Sequence, residues 1–146
     1  MSSAPGGESL RAALDTNIYV AAFNAPKGRN ARLWDAALAR RFRLVVSPAI
    51  IREMASVLRD KFGWQDERVR TLVRRVAEVA GTGLVTSRTT VHAVTADPDD
   101  DRILECAVAG RAGLIVSNDH HLLDLKAYAD IPIVASVDFC RMLGLK

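Results

Sequence analysis

Short, strongly apolar runs alternate with segments of helical period along this chain, and that alternation most narrows the choice of fold. Leu10–Leu14, Phe42–Val46, Leu114–Val116 and Ile131–Ala135 read as strands, with Leu84-Val85 as a shorter one. A helix between one strand and the next carries the chain back across the sheet, so successive strands run parallel. The expectation is an α/β protein: a three-layer α/β/α fold with a central, mostly parallel sheet flanked by helices.

The helices announce themselves by spacing. Leu33, Trp34, Ala37 and Leu38 form an apolar stripe over 31–41, which makes Trp34 a core residue. Ser47 before Pro48 caps a third helix whose buried stripe is Ile50, Met54, Val57 and Leu58, and Gly63 closes it. Asp66–Ala80 sets Val69, Leu72, Val73, Val76 and Val79 against a face of Arg68, Arg70, Thr71, Arg74, Arg75 and Glu78, with Gly81 and Gly83 as stops. Further helices are expected over 101–112, from His121 for a short distance, and over 137–143. Ile18–Phe23 suits helix or strand, and 91–99 reads as irregular.

A chain of 146 residues suits one domain with one core, taken as 10–146 behind a flexible leader over 1–9. No apolar run approaches the roughly 18–20 residues of a membrane span, and the opening MSSAPGGE lacks the build of a secretory signal, so a cytoplasmic protein is expected. Cys106 and Cys140 fall inside predicted helices and are expected to be buried free thiols. Neither a GxGxxG nor a Walker loop occurs, so dinucleotide and P-loop folds lose ground.

Four acids stand where apolar runs meet helices: Asp15, Glu53, Asp101 and Asp119. Taken singly, Asp15 and Asp119 are ordinary helix caps and Glu53 an ion-pair partner for an arginine. Yet Glu53 lies just beside an apolar stripe, where an unpaired charge is costly. The run Asp97-Pro98-Asp99-Asp100-Asp101 packs more acids together than a helix start needs, and mutual repulsion favours a bound cation. In a parallel sheet, acids that follow different strands converge on one edge. Together they point to a divalent-metal site, with Asp97 and Asp100 as neighbours able to take part. Carboxylate oxygens favour Mg²⁺ or Mn²⁺. His120 and His121 are expected to point apart as surface or turn residues, and His92 is given no role.

The net charge of +3 is carried mostly by arginine. Arg40, Arg41, Arg43, Arg74 and Arg75 are candidates for nucleic-acid phosphate contacts, beside the plainer reading of solvated faces. No aromatic ladder interleaves them.

The segments LDTNIYVAAF, IIREM, DDDRILECA and LIVSNDHHLL together resemble the PIN domain, the small nuclease domain of VapC-type toxins in toxin-antitoxin pairs. The likeness runs from Arg11 to Leu143 and is nearest to the toxin-component subgroup that shares the DPDD opening. It implies that Asp15, Glu53, Asp101 and Asp119 are the catalytic, metal-binding acids. Asn17 matches the polar residue two after the first aspartate, and Ser117 stands where many relatives have threonine. By that likeness the chain would be a metal-dependent endoribonuclease acting on RNA, with a cognate antitoxin and a homodimeric state among its expected associations. The competing readings are a catalytically silent PIN-fold module that binds nucleic acid or protein, a DNA- or structure-selective nuclease, and a phospho-acceptor receiver domain. The receiver's late lysine cannot be located.

Overall fold

The computed structural model describes residues 10–87 and 100–145. In chain order the elements are β1 (Arg11–Leu14), α1 (Thr16–Asn24), α2 (Arg29–Leu38), β2 (Arg43–Val45), α3 (Pro48–Asp60), α4 (Asp66–Ala80) and a 3₁₀ turn (Gly81–Gly83). Then follow α5 (Asp100–Ala109), β3 (Leu114–Val116), α6 (His120–Leu123), β4 (Ala127–Tyr128), β5 (Ile131–Val134) and α7 (Ser136–Met142). The ambiguous run after Asp15 is therefore helix, as α1.

The strands form one sheet in the order β2-β1-β3-β5-β4. β2, β1, β3 and β5 are parallel, and β4 returns antiparallel against β5. Every described residue of β3, and Ala12, Ala13 and Leu14 of β1, is buried. Successive strand residues face opposite sides, so burial of all of them requires helices on both faces. This is the expected three-layer α/β/α arrangement around a mostly parallel sheet.

Two expectations need adjustment. Leu84-Val85 does not form a ladder strand; Leu84 makes a single parallel bridge to Val46. The amide of Val46 donates to the Gly83 carbonyl, and Val85 N–H to the Val46 carbonyl. Gly83 is needed there because a Cβ would lie 1.9 Å from the backbone oxygen of Leu44. In α4, Val69, Val76 and Ala80 are buried, but Leu72, Val73 and Val79 are only partly so. The helix packs on α3 and β2, leaving its flanks open.

The topology also fixes where a ligand belongs. From β1 the chain moves to β2 on one side, then crosses to β3 on the other side of β1. The carboxyl ends of β1 and β3 thus flank the switch in strand order, where open α/β sheets hold their ligands. Leu14 pairs with Val116, so Asp15 and Ser117 emerge side by side, and the Asp15 amide donates to the Val116 carbonyl at 2.9 Å. Among the described residues no helix is long and apolar enough to cross a membrane.

Candidate metal centre at the carboxyl edge

Asp15 caps α1 from an extended backbone, and its Oδ1 accepts from the Thr16 amide at 2.8 Å. The capping role is real, but it uses only one of the two carboxylate oxygens. Oδ2 accepts from the Ser117 hydroxyl at 2.8 Å, across the gap between β1 and β3. The same hydroxyl accepts from the Asp119 amide at 3.0 Å. Asp119 in turn caps α6, its Oδ1 accepting from the His121 amide at 2.8 Å.

Glu53 arrives from α3, half-buried beside the stripe that covers the sheet. The Thr16 hydroxyl donates to its Oε1 at 2.6 Å. One hydrogen-bonded run therefore passes from Glu53 through Thr16 and Asp15 to Ser117 and Asp119. It joins β1, α1, α3, β3 and the start of α6.

Asp100 and Asp101 form the first turn of α5, which packs on β1, β3 and α3. They are 5% and 3% exposed, and Asp15 is 7% exposed. Carboxylates are buried this deeply only when paired, hydrogen-bonded or bound to metal, because a desolvated charge is expensive. The helix start offsets part of that cost for the pair on α5. Asp97 and His92 lie outside the described residues.

Beside these acids opens a cleft of about 660 Å³, walled by Asn17, Ile18, Ala21, Asn30, Asn118, Asp119, His120 and His121. Asn17 and Asp119 are the two expected site residues in its wall. A family model of the PIN domain matches residues 11–121, which takes in every element that carries these acids. The chain belongs to the PIN-domain family. PIN domains are generally nucleases, acting on nucleic acids with divalent metal ions. A search of curated proteins finds no significant match.

Within this PIN domain the two histidines depart from expectation. They do not point apart: their ring centroids are 4.0 Å apart with planes 40° from one another, and both rings face the cleft. Neighbours diverge fully in a strand, whereas in the first turn of a helix they are separated by only about 100°.

Sequence reasoning also missed Asn118. Its Nδ2 donates to the Ser136 hydroxyl and its Oδ1 accepts from the Ser136 amide, both at 3.0 Å. The reciprocal pair ties the end of β3 to the start of α7. A lone Asn beside a lone Ser eighteen residues on gives no signal in sequence.

The arginines divide. Arg43 pairs in register with Arg11 at the amino end of β1, a distance of roughly 13 Å along the strand from Asp15 at about 3.3 Å per residue. Arg40 and Arg41 immediately precede that end. Arg41 donates to the Leu143 carbonyl and Arg43 to the Thr82 hydroxyl. These three belong to the sheet's opposite edge. Arg74 and Arg75 instead flank a groove with Phe23, Trp64, Leu72 and Arg68. There the Arg68 guanidinium lies 3.5 Å from the Trp64 ring centroid, and the indole N–H donates to Asn24. Trp34 packs against the core, edge-on to Phe23 at 5.1 Å.

Cys106 and Cys140 are free and buried. Burial pushes the Cys106 thiol up to about 12, only partly opposed by a hydrogen bond with Ser47. Burial also raises Cys140, with Arg29 and Arg32 opposing. A thiol held protonated is a poor nucleophile, which leaves the chemistry to the acids.

Proposed function

We propose that this PIN domain is a divalent-metal-dependent endoribonuclease that hydrolyses RNA phosphodiester bonds and serves as the toxin of a type II toxin-antitoxin pair. The observation that carries this reading is the run of hydrogen bonds linking Glu53, Thr16, Asp15, Ser117 and Asp119. The expected partner besides RNA is a cognate antitoxin protein.

The donor set suits the ion. Carboxylate oxygens drawn from β1, α3, α5 and the turn after β3 match the hard, oxygen-seeking Mg²⁺ or Mn²⁺. Asp15, Asp101 and Asp119 would hold it, and Asp100 would support them. When bound, the ion supplies Lewis-acid charge at the phosphate and eases deprotonation of water.

The remaining roles fall to the chain itself. Asp15 has each oxygen fixed, one by the Thr16 amide and one by the Ser117 hydroxyl, so its orientation is set before any ligand arrives. Glu53, steadied by Thr16, would accept the proton of an attacking water. Asn17, exposed on the cleft wall, offers an amide N–H to a phosphate oxygen.

The test is cleavage of a mixed single-stranded RNA and its DNA counterpart with Mg²⁺ or Mn²⁺, beside EDTA, Asp15→Asn and Asp101→Asn. RNA cutting should vanish with EDTA and fall by more than about 100-fold in each variant, beyond what loss of a supporting contact costs. Equal cutting of DNA would move the reading to a structure-selective nuclease. Metal-independent RNA binding without cutting would move it to a silent binding module.

A further inference from the structure

The cleft wall holds a donor set of a different chemical kind from the buried acids. The carboxylate of Asp119 and one ring nitrogen each of His120 and His121 lie within 4.8 Å of one another. Two ligands at 2.0–2.1 Å from a tetrahedral Zn²⁺ are separated by about 3.3 Å. Small side-chain rotations therefore bring all three onto one ion. His120 is exposed and His121 half-buried, so both rings are free to make them. The Asp119 Oδ1 is engaged by the His121 amide, which fixes the direction in which this carboxylate faces.

A second observation comes from α2. Asn30, at the start of this helix, lines the same cleft, and its Oδ1 is buried with no hydrogen-bond partner among the described residues. A buried acceptor left unsatisfied costs free energy, and a turn of the Asn30 amide toward the cleft would bring it to a water completing an ion's coordination. The amino end of α6 would repel a cation, but that helix has only four residues and is already capped by the Asp119 carboxylate.

We propose that Asp119, His120 and His121 form a site for a borderline transition-metal ion of the Zn²⁺ and Co²⁺ class, additional to the all-oxygen set of Asp15, Glu53 and Asp101. Imidazole nitrogen favours such ions over Mg²⁺, which prefers oxygen and gives up its waters reluctantly. Asp119 stands at the boundary of the two sets and is shared between them. This assignment rests on the donor geometry and the orphaned Asn30 oxygen, not on the nuclease reading.

The test is a titration of the untagged full chain with Co²⁺, followed by visible absorption, and with Zn²⁺ by calorimetry. One equivalent of Co²⁺ should give ligand-field bands that Zn²⁺ removes and millimolar Mg²⁺ does not. His120→Ala and His121→Ala should each weaken Zn²⁺ binding at least tenfold, and Asn30→Ala should weaken it by less. Asp15→Asn should keep the affinity of the unaltered chain, with circular dichroism reporting that each variant is folded. The proposal is overturned if both histidine variants bind Co²⁺ and Zn²⁺ as tightly as the unaltered chain. It is equally overturned if Asp15→Asn alone abolishes binding, because the ion would then sit among the buried acids. Failure of RNA cleavage with this titration intact would sink the nuclease reading and leave the site standing.

Discussion

Ser117 is fully buried, and its one hydroxyl serves two partners, donating to Asp15 and accepting from Asp119. Ser117→Ala removes both bonds while adding no bulk. The Asp119 amide and one Asp15 oxygen then each lose this hydrogen bond, so a loss of about 1–3 kcal/mol in urea unfolding is expected. Ser117→Thr keeps the hydroxyl and should retain more of any nuclease activity than Ser117→Ala. Tyr19 makes the opposite case. Its ring is buried in the core and its hydroxyl has no hydrogen-bond partner among the described residues, while burial holds its pKa well above the ordinary value. Tyr19→Phe should therefore leave the unfolding free energy unchanged or raise it by up to about 1 kcal/mol, read from urea unfolding; a clear fall would show a missed partner. Cys106 gives a pH prediction. Its folded pKa, about 12, lies above the ordinary 9.0, so folding favours the protonated thiol. That contribution is fully present below pH 9 and is lost as pH rises from about 9 to about 12. The chain should lose stability across that window, and less so as Cys106→Ala, as followed by thermal melts.

At the scale of elements, the hairpin between β4 and β5 shows where sequence reading reaches its limit. Ala129 and Asp130 sit at φ 51° and 65°, a pair of left-handed residues that suits a tight two-residue turn. Such turns normally advertise themselves with Asn-Gly, and Ala-Asp does not, so β4 had no local signal. The strand pairing holds the turn against its intrinsic preference. Asp130→Gly should accordingly raise stability by about 1 kcal/mol, seen as a higher denaturation midpoint. Gly83 is the reverse case, a residue whose freedom from a side chain is required. Gly83→Ala forces a methyl onto the Leu44 carbonyl and should cost more than about 2 kcal/mol, because the atom it meets belongs to backbone. α3 and α4 were legible because each joins a 3.6-residue stripe to a cap or a glycine stop. Ser47 and Pro48 are the clearest instance, the Ser47 hydroxyl accepting from the Ile50 amide.

For the molecule as a whole, the α/β architecture followed from alternation alone, since strands separated by helices must cross over. The gathering of Asp15 and Asp119 on the carboxyl edge followed too, because both come after parallel strands. What could not be read was the order of those strands. Only once β1 is known to stand between β2 and β3 does it become clear that Arg40, Arg41 and Arg43 occupy the edge away from Asp15. The histidines were misjudged for a related reason. Asp119 reads as a helix cap in the sequence, but the helix it caps begins at His120 rather than His121, and both histidines line one cleft.

The pairing of Leu14 with Val116 sets the spacing of everything beyond it. A chain built in this way tolerates changes of length unevenly. One residue inserted into β3 would carry Ser117 past Asp15 and turn its side chain to the other face. The same insertion in the exposed turn at Ala25–Lys27 would lengthen a loop and move none of the acids. Among natural variants of this protein, insertions and deletions should therefore gather between helices and spare the few residues on either side of Leu14 and Val116.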